Sequence, residues 1–175
     1  MDLKDEAKRQ IIMGVLFIVL MCFLLWPFLP RTDYILRTSQ RILFAVEWLS
    51  LIAIPFATIT TVVSYQRYQD RKAIFGTSNY LNKSLVTNKK IAANTFEQTL
   101  LAAIVIFPLA SLLPNHQLKV IPLFAILFVL GRFLYWVTYR MNPMLRFTGF
   151  AIGFYPIIGI LLFDLWLMVN KYWLN

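Results

Sequence analysis

The sequence predicts an all-α integral membrane helical bundle. Three observations carry that reading. The 175 residues are 59% hydrophobic, above the roughly 45–50% usual for a soluble chain. Only 14% are charged, against about 25% in such chains. The apolar residues also collect in long runs separated by short polar stretches, each close to the roughly 17–25 residues that a transmembrane helix needs. The runs are Ile11 to Leu29, Ile42 to Val63, Ile91 to Leu113, Val120 to Val137 and Phe147 to Val169. Too little chain lies outside them to build a soluble domain, so one membrane domain is expected.

The first run follows Lys4, Lys8 and Arg9, as the apolar stretch of a signal peptide would. It is long, however, and Trp26-Pro27-Phe28-Leu29-Pro30 offers no small-x-small cleavage site. A retained helix is therefore expected. The run holds Cys22, the single cysteine, which has no internal disulfide partner and says nothing of redox compartment. With one cysteine and one histidine, His116, far apart in the chain, no metal site is expected.

The second run carries Glu47 near its start and Pro55 inside it. A structural role is expected for Glu47, through pairing with Arg41 or with a neighbouring helix. The third run opens Asn88-Lys89-Lys90-Ile91-Ala92-Ala93-Asn94-Thr95-Phe96-Glu97-Gln98. Lys90, Asn94 and Glu97 fall at i, i+4 and i+7, one face of a helix. An ionisable group in hydrocarbon needs a partner or a water-filled cavity. This stripe must look into the bundle, into a subunit contact or into a cavity.

The fourth run ends with Arg132, Tyr135 and Tyr139 at i, i+3 and i+7, again one face. A turn with Asn142-Pro143 follows, and Arg146 opens the fifth run. There Gly149 and Gly153 form a GxxxG, which permits close helix approach. Asp164 lies towards the far end of that run, with a structural role expected at the interface. Pro108 and Pro156, like Pro55, can kink a span without implying function. Trp26, Trp166, Tyr172 and Trp173 stand near span ends, where amphipathic rings prefer to lie.

The formal net charge is +9. On a soluble protein that would point to nucleic acid, but no basic stripe with interleaved aromatics is present, so no nucleic-acid partner is expected. Five spans put the termini on opposite sides. Lys4, Lys8, Arg9, Arg67, Arg71, Lys72, Lys83, Lys89, Lys90, Arg140 and Arg146 share one side; Arg31, Arg37, Arg41, Lys119 and Lys171 share the other. The positive-inside rule places the N-terminus and the 66–90 loop in the cytoplasm. A multi-pass protein with its polar stripes near the cytoplasmic surface is thus expected.

Together the stripes offer Lys90, Arg132 and Arg146 as cations, Glu97 as an anion, and Asn94, Tyr135 and Tyr139 as hydrogen-bonding groups. Two readings stay open at this point. Glu97 pairs with Arg132 or Lys90 and holds the bundle together, or the groups form a site for a small anionic or zwitterionic ligand.

The two stripes together resemble the membrane-associated proteins in eicosanoid and glutathione metabolism (MAPEG), which include microsomal glutathione transferases, leukotriene synthases and microsomal prostaglandin E synthase. The family pattern is a basic residue, Asn four later and Glu three after that, matched by Lys90, Asn94 and Glu97. It continues with an Arg, a Tyr three later, a Tyr four after that and an Arg opening the last helix, matched by Arg132, Tyr135, Tyr139 and Arg146. The resemblance covers roughly residues 42–170. It implies a MAPEG-like four-helix core over 42–175, a homotrimer, and an extra N-terminal transmembrane helix within 1–41 that has no counterpart in the usual form. It further implies glutathione as co-substrate, held between subunits near the cytoplasmic side by Asn94, Glu97, Arg132, Tyr135, Tyr139 and Arg146, with Lys90 beside them. The family's thiolate-stabilising arginine maps to Arg67, with Arg71 as the alternative; a nearby cation lowers a thiol pKa. Lys90 replaces the usual Arg, so two-pronged carboxylate recognition is lost there.

The implied function is a membrane-embedded glutathione-dependent transferase or peroxidase. It would act on lipophilic electrophiles or lipid hydroperoxides that arrive from the bilayer, among membrane lipids. A non-catalytic lipid-binding or scaffold protein of the same fold is the alternative. A small transporter fits less well, because the sequence shows no internal repeat and no paired interrupted helices.

Overall fold

The computed structural model describes residues 3–35, 37–69, 82–142 and 145–174. Among the described residues there is no strand, and five helices are long and apolar enough to cross a membrane. We label them α1 (Leu3–Leu25), α2 (Thr38–Gln69), α3 (Lys83–Leu112), α4 (Val120–Met141) and α5 (Arg146–Val169). At 1.5 Å per residue, the 32 residues of α2 and the 30 of α3 reach about 45–48 Å. The hydrocarbon core is about 30 Å thick, so both helices project beyond it. This is why α2 and α3 exceed the apolar runs at the ends that face the 66–90 loop. Pro55, Pro108 and Pro156 all lie inside continuous helices.

The core is built by α2, α3 and α4, with α5 closing one side. Ile52, Ala102, Ile106, Ile121, Phe128 and Ile157 are among its fully buried side chains. Polar bonds fasten both ends. At one end, Asn82 caps α3 by accepting from the Ser84 amide at 2.9 Å, a favoured use of Asn. Gln66 of α2 donates through Nε2 to Ser84 Oγ (3.2 Å) and accepts at Oε1 from Asn88 Nδ2 (3.0 Å). Asn88 in turn accepts from Trp136 Nε1 at 3.3 Å. Three helices are thereby tied through one amide.

At the other end, Arg41 donates to the Leu113 carbonyl at 2.8 Å and to the Asn115 side chain, and Thr32 donates to the Asn115 carbonyl at 2.7 Å. A cation there satisfies a carbonyl left open at the C-terminus of α3. Arg41 is therefore not the partner of Glu47: Glu47 lies on the outer surface beside a small cavity with Tyr34 and Gln40. Asp164 is buried in the protomer. It is 2% exposed, and neither carboxylate oxygen has a partner among the described residues.

The extra helix α1 lies against α5. Gly14 makes the approach possible, since a Cβ there would stand 2.8 Å from the Ala151 Cβ. One turn away, Thr148 Oγ1 meets Gln10 Oε1 at 2.6 Å. The opposite face of α1 is bare: Phe23 is 80% exposed, as a lipid-facing side chain should be.

A polar cavity at the meeting of helices α1, α3, α4 and α5

Glycines decide where the polar groups meet. A Cβ on Gly149 would fall on the backbone of Tyr135, and one on Gly131 would stand 2.8 Å from the Gly153 amide nitrogen. α4 and α5 therefore touch backbone to backbone along this stretch. The GxxxG pair packs within the protomer, and it drives Arg132 and Tyr135 of α4 towards α3.

Arg132 is 1% exposed. Its Nη2 donates to Asn94 Oδ1 at 3.0 Å and to Thr95 Oγ1 at 2.8 Å. Its guanidinium carbon lies 4.4 Å from the centre of the Tyr135 ring, within cation–π range. Nε and Nη1 have no partner among the described residues, and nor has either polar atom of Gln98. Gln98 Oε1 and Arg132 Nη1 lie 2.9 and 3.9 Å from where a Gly153 Cβ would stand, so the unsatisfied groups gather at one point. A buried charge with open donors is costly in a low-dielectric surround.

Further along α4 the Tyr135 and Tyr139 rings lie 5.5 Å apart, edge to face. Arg146 sets its guanidinium 5.1 Å from the Tyr139 ring centre and 5.3 Å from that of Phe147. Between these groups is a cavity of about 310 Å³, lined by Asn94, Tyr135, Arg146, Phe147 and Phe150, with Ile11 of α1 and Tyr155 completing the wall. It joins one cation, one amide and two phenols to an apolar wall. That combination suits a small ligand with an anionic end and an apolar end.

Three of the sequence-predicted residues, Asn94, Tyr135 and Arg146, thus line one cavity. Arg132 stands behind it, bonded to Asn94, and Tyr139 stands beside it. Arg67, Lys90 and Glu97 do not line it: all three are on the outer surface. Arg71 lies outside the described residues. Glu97 pairs with neither Arg132 nor Lys90, since Arg132 is committed to Asn94 and Thr95. The inward face of α3 is Asn88, Ile91, Thr95 and Gln98, at i, i+3, i+7 and i+10, each no more than 2% exposed. The stripe of Lys90, Asn94 and Glu97 is rotated from it towards the protomer's edge. Gln98, read from the sequence as an uncharged companion of the ionisable groups, is buried beside Arg132. Thr95, Ile11 and Tyr155 escaped sequence reasoning. For Thr95 the available signal was its helical spacing with Asn88 and Gln98; Ile11 and Tyr155 carry none.

Residues 42–166 match the MAPEG family. The match runs from early α2 to late α5 and leaves α1 outside. A stretch of 60 residues is 33% identical to Transmembrane protein 79 of Mus musculus, and the same holds for Transmembrane protein 79 of Bos taurus. That stretch is 34% of this chain and 15% of each of those proteins, so the chain spans about 15% of the length of the curated relatives it matches. No solved structure matches the chain.

Proposed function

The chain belongs to the MAPEG family, and from that premise we propose that it is a glutathione-dependent transferase or peroxidase acting on lipophilic electrophiles or lipid hydroperoxides in the membrane. The observation that carries this is the convergence of Asn94, Tyr135 and Arg146 on one cavity with an apolar wall. Glutathione has two carboxylates, one ammonium and one thiol. Arg146 suits a carboxylate as a two-pronged donor, and Asn94 and the phenols of Tyr135 and Tyr139 suit its peptide groups. Arg132 acts on the ligand through Asn94, which it orients.

The remaining roles belong to a homotrimer. Glu97 and Lys90 are charged groups on the outer surface of α3, and a second copy is the natural cover for them. In that assembly Glu97 takes the ammonium, Lys90 a carboxylate, and Arg67 the thiolate, whose fraction near pH 7 a nearby cation raises. In conjugation, the thiolate sulfur bonds to the electrophilic carbon while the leaving group departs with the electron pair. In peroxide reduction, the thiolate takes the terminal oxygen and releases the lipid alcohol; a second glutathione then yields disulfide and water. The N-terminus and the cavity face the cytoplasm, where the basic residues collect.

The test is conjugation of glutathione to a lipophilic aryl halide, and reduction of a fatty hydroperoxide, by protein reconstituted in vesicles. Wild type should turn over one of the two, Arg146→Ala should raise KM for glutathione, and Arg67→Ala should lower kcat. A folded trimer inert towards both would leave a lipid-binding or scaffold role for the same fold.

A further inference from the structure

We propose that α1, α4 and α5 enclose a binding slot for one acyl chain of a bilayer glycerophospholipid, with the lipid's phosphate end towards Arg146. The proposal goes beyond glutathione handling: the two ligands share only Arg146, which meets the lipid phosphate when no glutathione carboxylate holds it. Below the polar cavity lies a second cavity of about 370 Å³ with an almost wholly apolar lining. Its walls include Val15, Ile18 and Cys22 of α1, Leu123 of α4, and Tyr155 and Gly159 of α5. Tyr155 lines both cavities, so they adjoin. Ile11, Val15, Ile18 and Cys22 fall at i, i+4, i+7 and i+11, which makes one stripe of α1 the wall of both. Gly159 is open: a Cβ there would meet nothing within 4 Å.

The shape selects the occupant. α1 is fastened above the cavity, where Gly14 meets Ala151 and Gln10 meets Thr148. It is fastened again along the lower part of the cavity, where Ile18, Met21, Cys22 and Leu25 pack with Leu29, Leu123 and Leu127. Between these points the space is a slot beneath a bridge. A helix of a second copy, about 10–12 Å across, does not fit under it, whereas a linear chain threads it. The lining excludes a polar solute, since apolar cavities stay dry, and an empty slot forfeits dispersion contacts that a chain restores. Entry is from hydrocarbon, because α1 itself is bathed on its far side, as Phe23 shows.

Depth agrees as well. From Arg146 to Tyr155 α5 advances about 14 Å, close to the roughly 15 Å that half of a 30 Å hydrocarbon core gives one leaflet. A chain anchored at the interface by its phosphate therefore reaches the apolar cavity at Tyr155, and Gly159 lies about 6 Å, one turn, further on. Arg146, in the first turn of α5, supplies a cation at the level where lipid phosphates lie.

The full chain would be reconstituted without glutathione in phosphatidylcholine vesicles doped with a phosphatidylcholine that carries a diazirine along one acyl chain. After irradiation, modified residues would be mapped by mass spectrometry. Label should concentrate on Ile18, Cys22 and Ile160 over Phe23 and Leu162, which face bulk lipid. Gly159→Leu should remove the slot label and spare Leu162, while Gly159→Ala should leave both. If Gly159→Leu fails to fold, Ile18→Phe closes the slot from the opposite wall and should give the same loss. Equal labelling of slot and lipid-facing residues would overturn the proposal. So would slot label that survives closure, cross-links between copies at Cys22, or a diazirine fatty acid that labels the slot where the phospholipid does not.

Discussion

Arg132 is the residue on which the polar cavity turns. Its guanidinium is buried, bonded through Nη2 alone to Asn94 and Thr95, and left with open donors next to Gln98. Removing one acceptor from such a group costs about 1–3 kcal/mol. Asn94→Ala is therefore expected to lower the thermal midpoint in detergent as well as to weaken glutathione binding. Glu97→Gln should behave differently. No described residue partners Glu97, so the variant should melt like wild type as a protomer while impairing assembly or ligand affinity. Thermal melts run beside size-exclusion of the assembled protein separate these effects; equal destabilisation by the two variants would contradict the assignment of Glu97 to an outer contact. The residue types were legible from the chain, because a cation, an amide and phenols in apolar runs have few explanations. Their sorting into a buried hub, a cavity rim and an outer edge was not, because it depends on which neighbours each side chain finds.

At the level of helices, spacing set the limits of what could be read. The apolar runs located all five helices, since hydropathy and length are local properties. The rotation of α3 was harder. One residue turns a helix by about 100°, so the stripes at 88/91/95/98 and at 90/94/97 are centred about 110° apart, on neighbouring faces that both carry polar side chains. Only packing against α4 and α2 decides that the former faces inward. The C-terminal end of α2 and the start of α3 were underestimated because those turns are polar and leave the hydrocarbon. Glycines give the sharpest test at this scale. A side chain on Gly149 falls on the Tyr135 backbone, whereas one on Gly159 meets open space. Gly149→Ala should cost about 1–3 kcal/mol, as overpacking does. Gly159→Ala should instead be neutral or gain about 0.5–1 kcal/mol from reduced chain freedom. Parallel thermal melts of the two variants check this; destabilisation by Gly159→Ala matching that by Gly149→Ala would refute the packing described.

The whole molecule is a MAPEG-like four-helix core with one further helix laid along α5. The core's contacts run among α2–α5, and α1 adds to them from outside. A chain lacking residues 1–30 should accordingly still insert and give helical circular dichroism, while losing the wall that Ile11 provides to the polar cavity; failure of that chain to fold would make α1 part of the core. On the proposed function, this core binds glutathione at the cavity of Asn94, Tyr135 and Arg146 and ionises its thiol. The most direct measurement is a titration of the purified protein with glutathione, following the ultraviolet absorbance of the bound thiolate, alongside Arg146→Ala and Arg67→Ala. Wild type should give a saturable thiolate signal, Arg146→Ala weaker binding, and Arg67→Ala binding without thiolate. A folded, assembled protein that gives no saturable signal at millimolar glutathione would contradict that function.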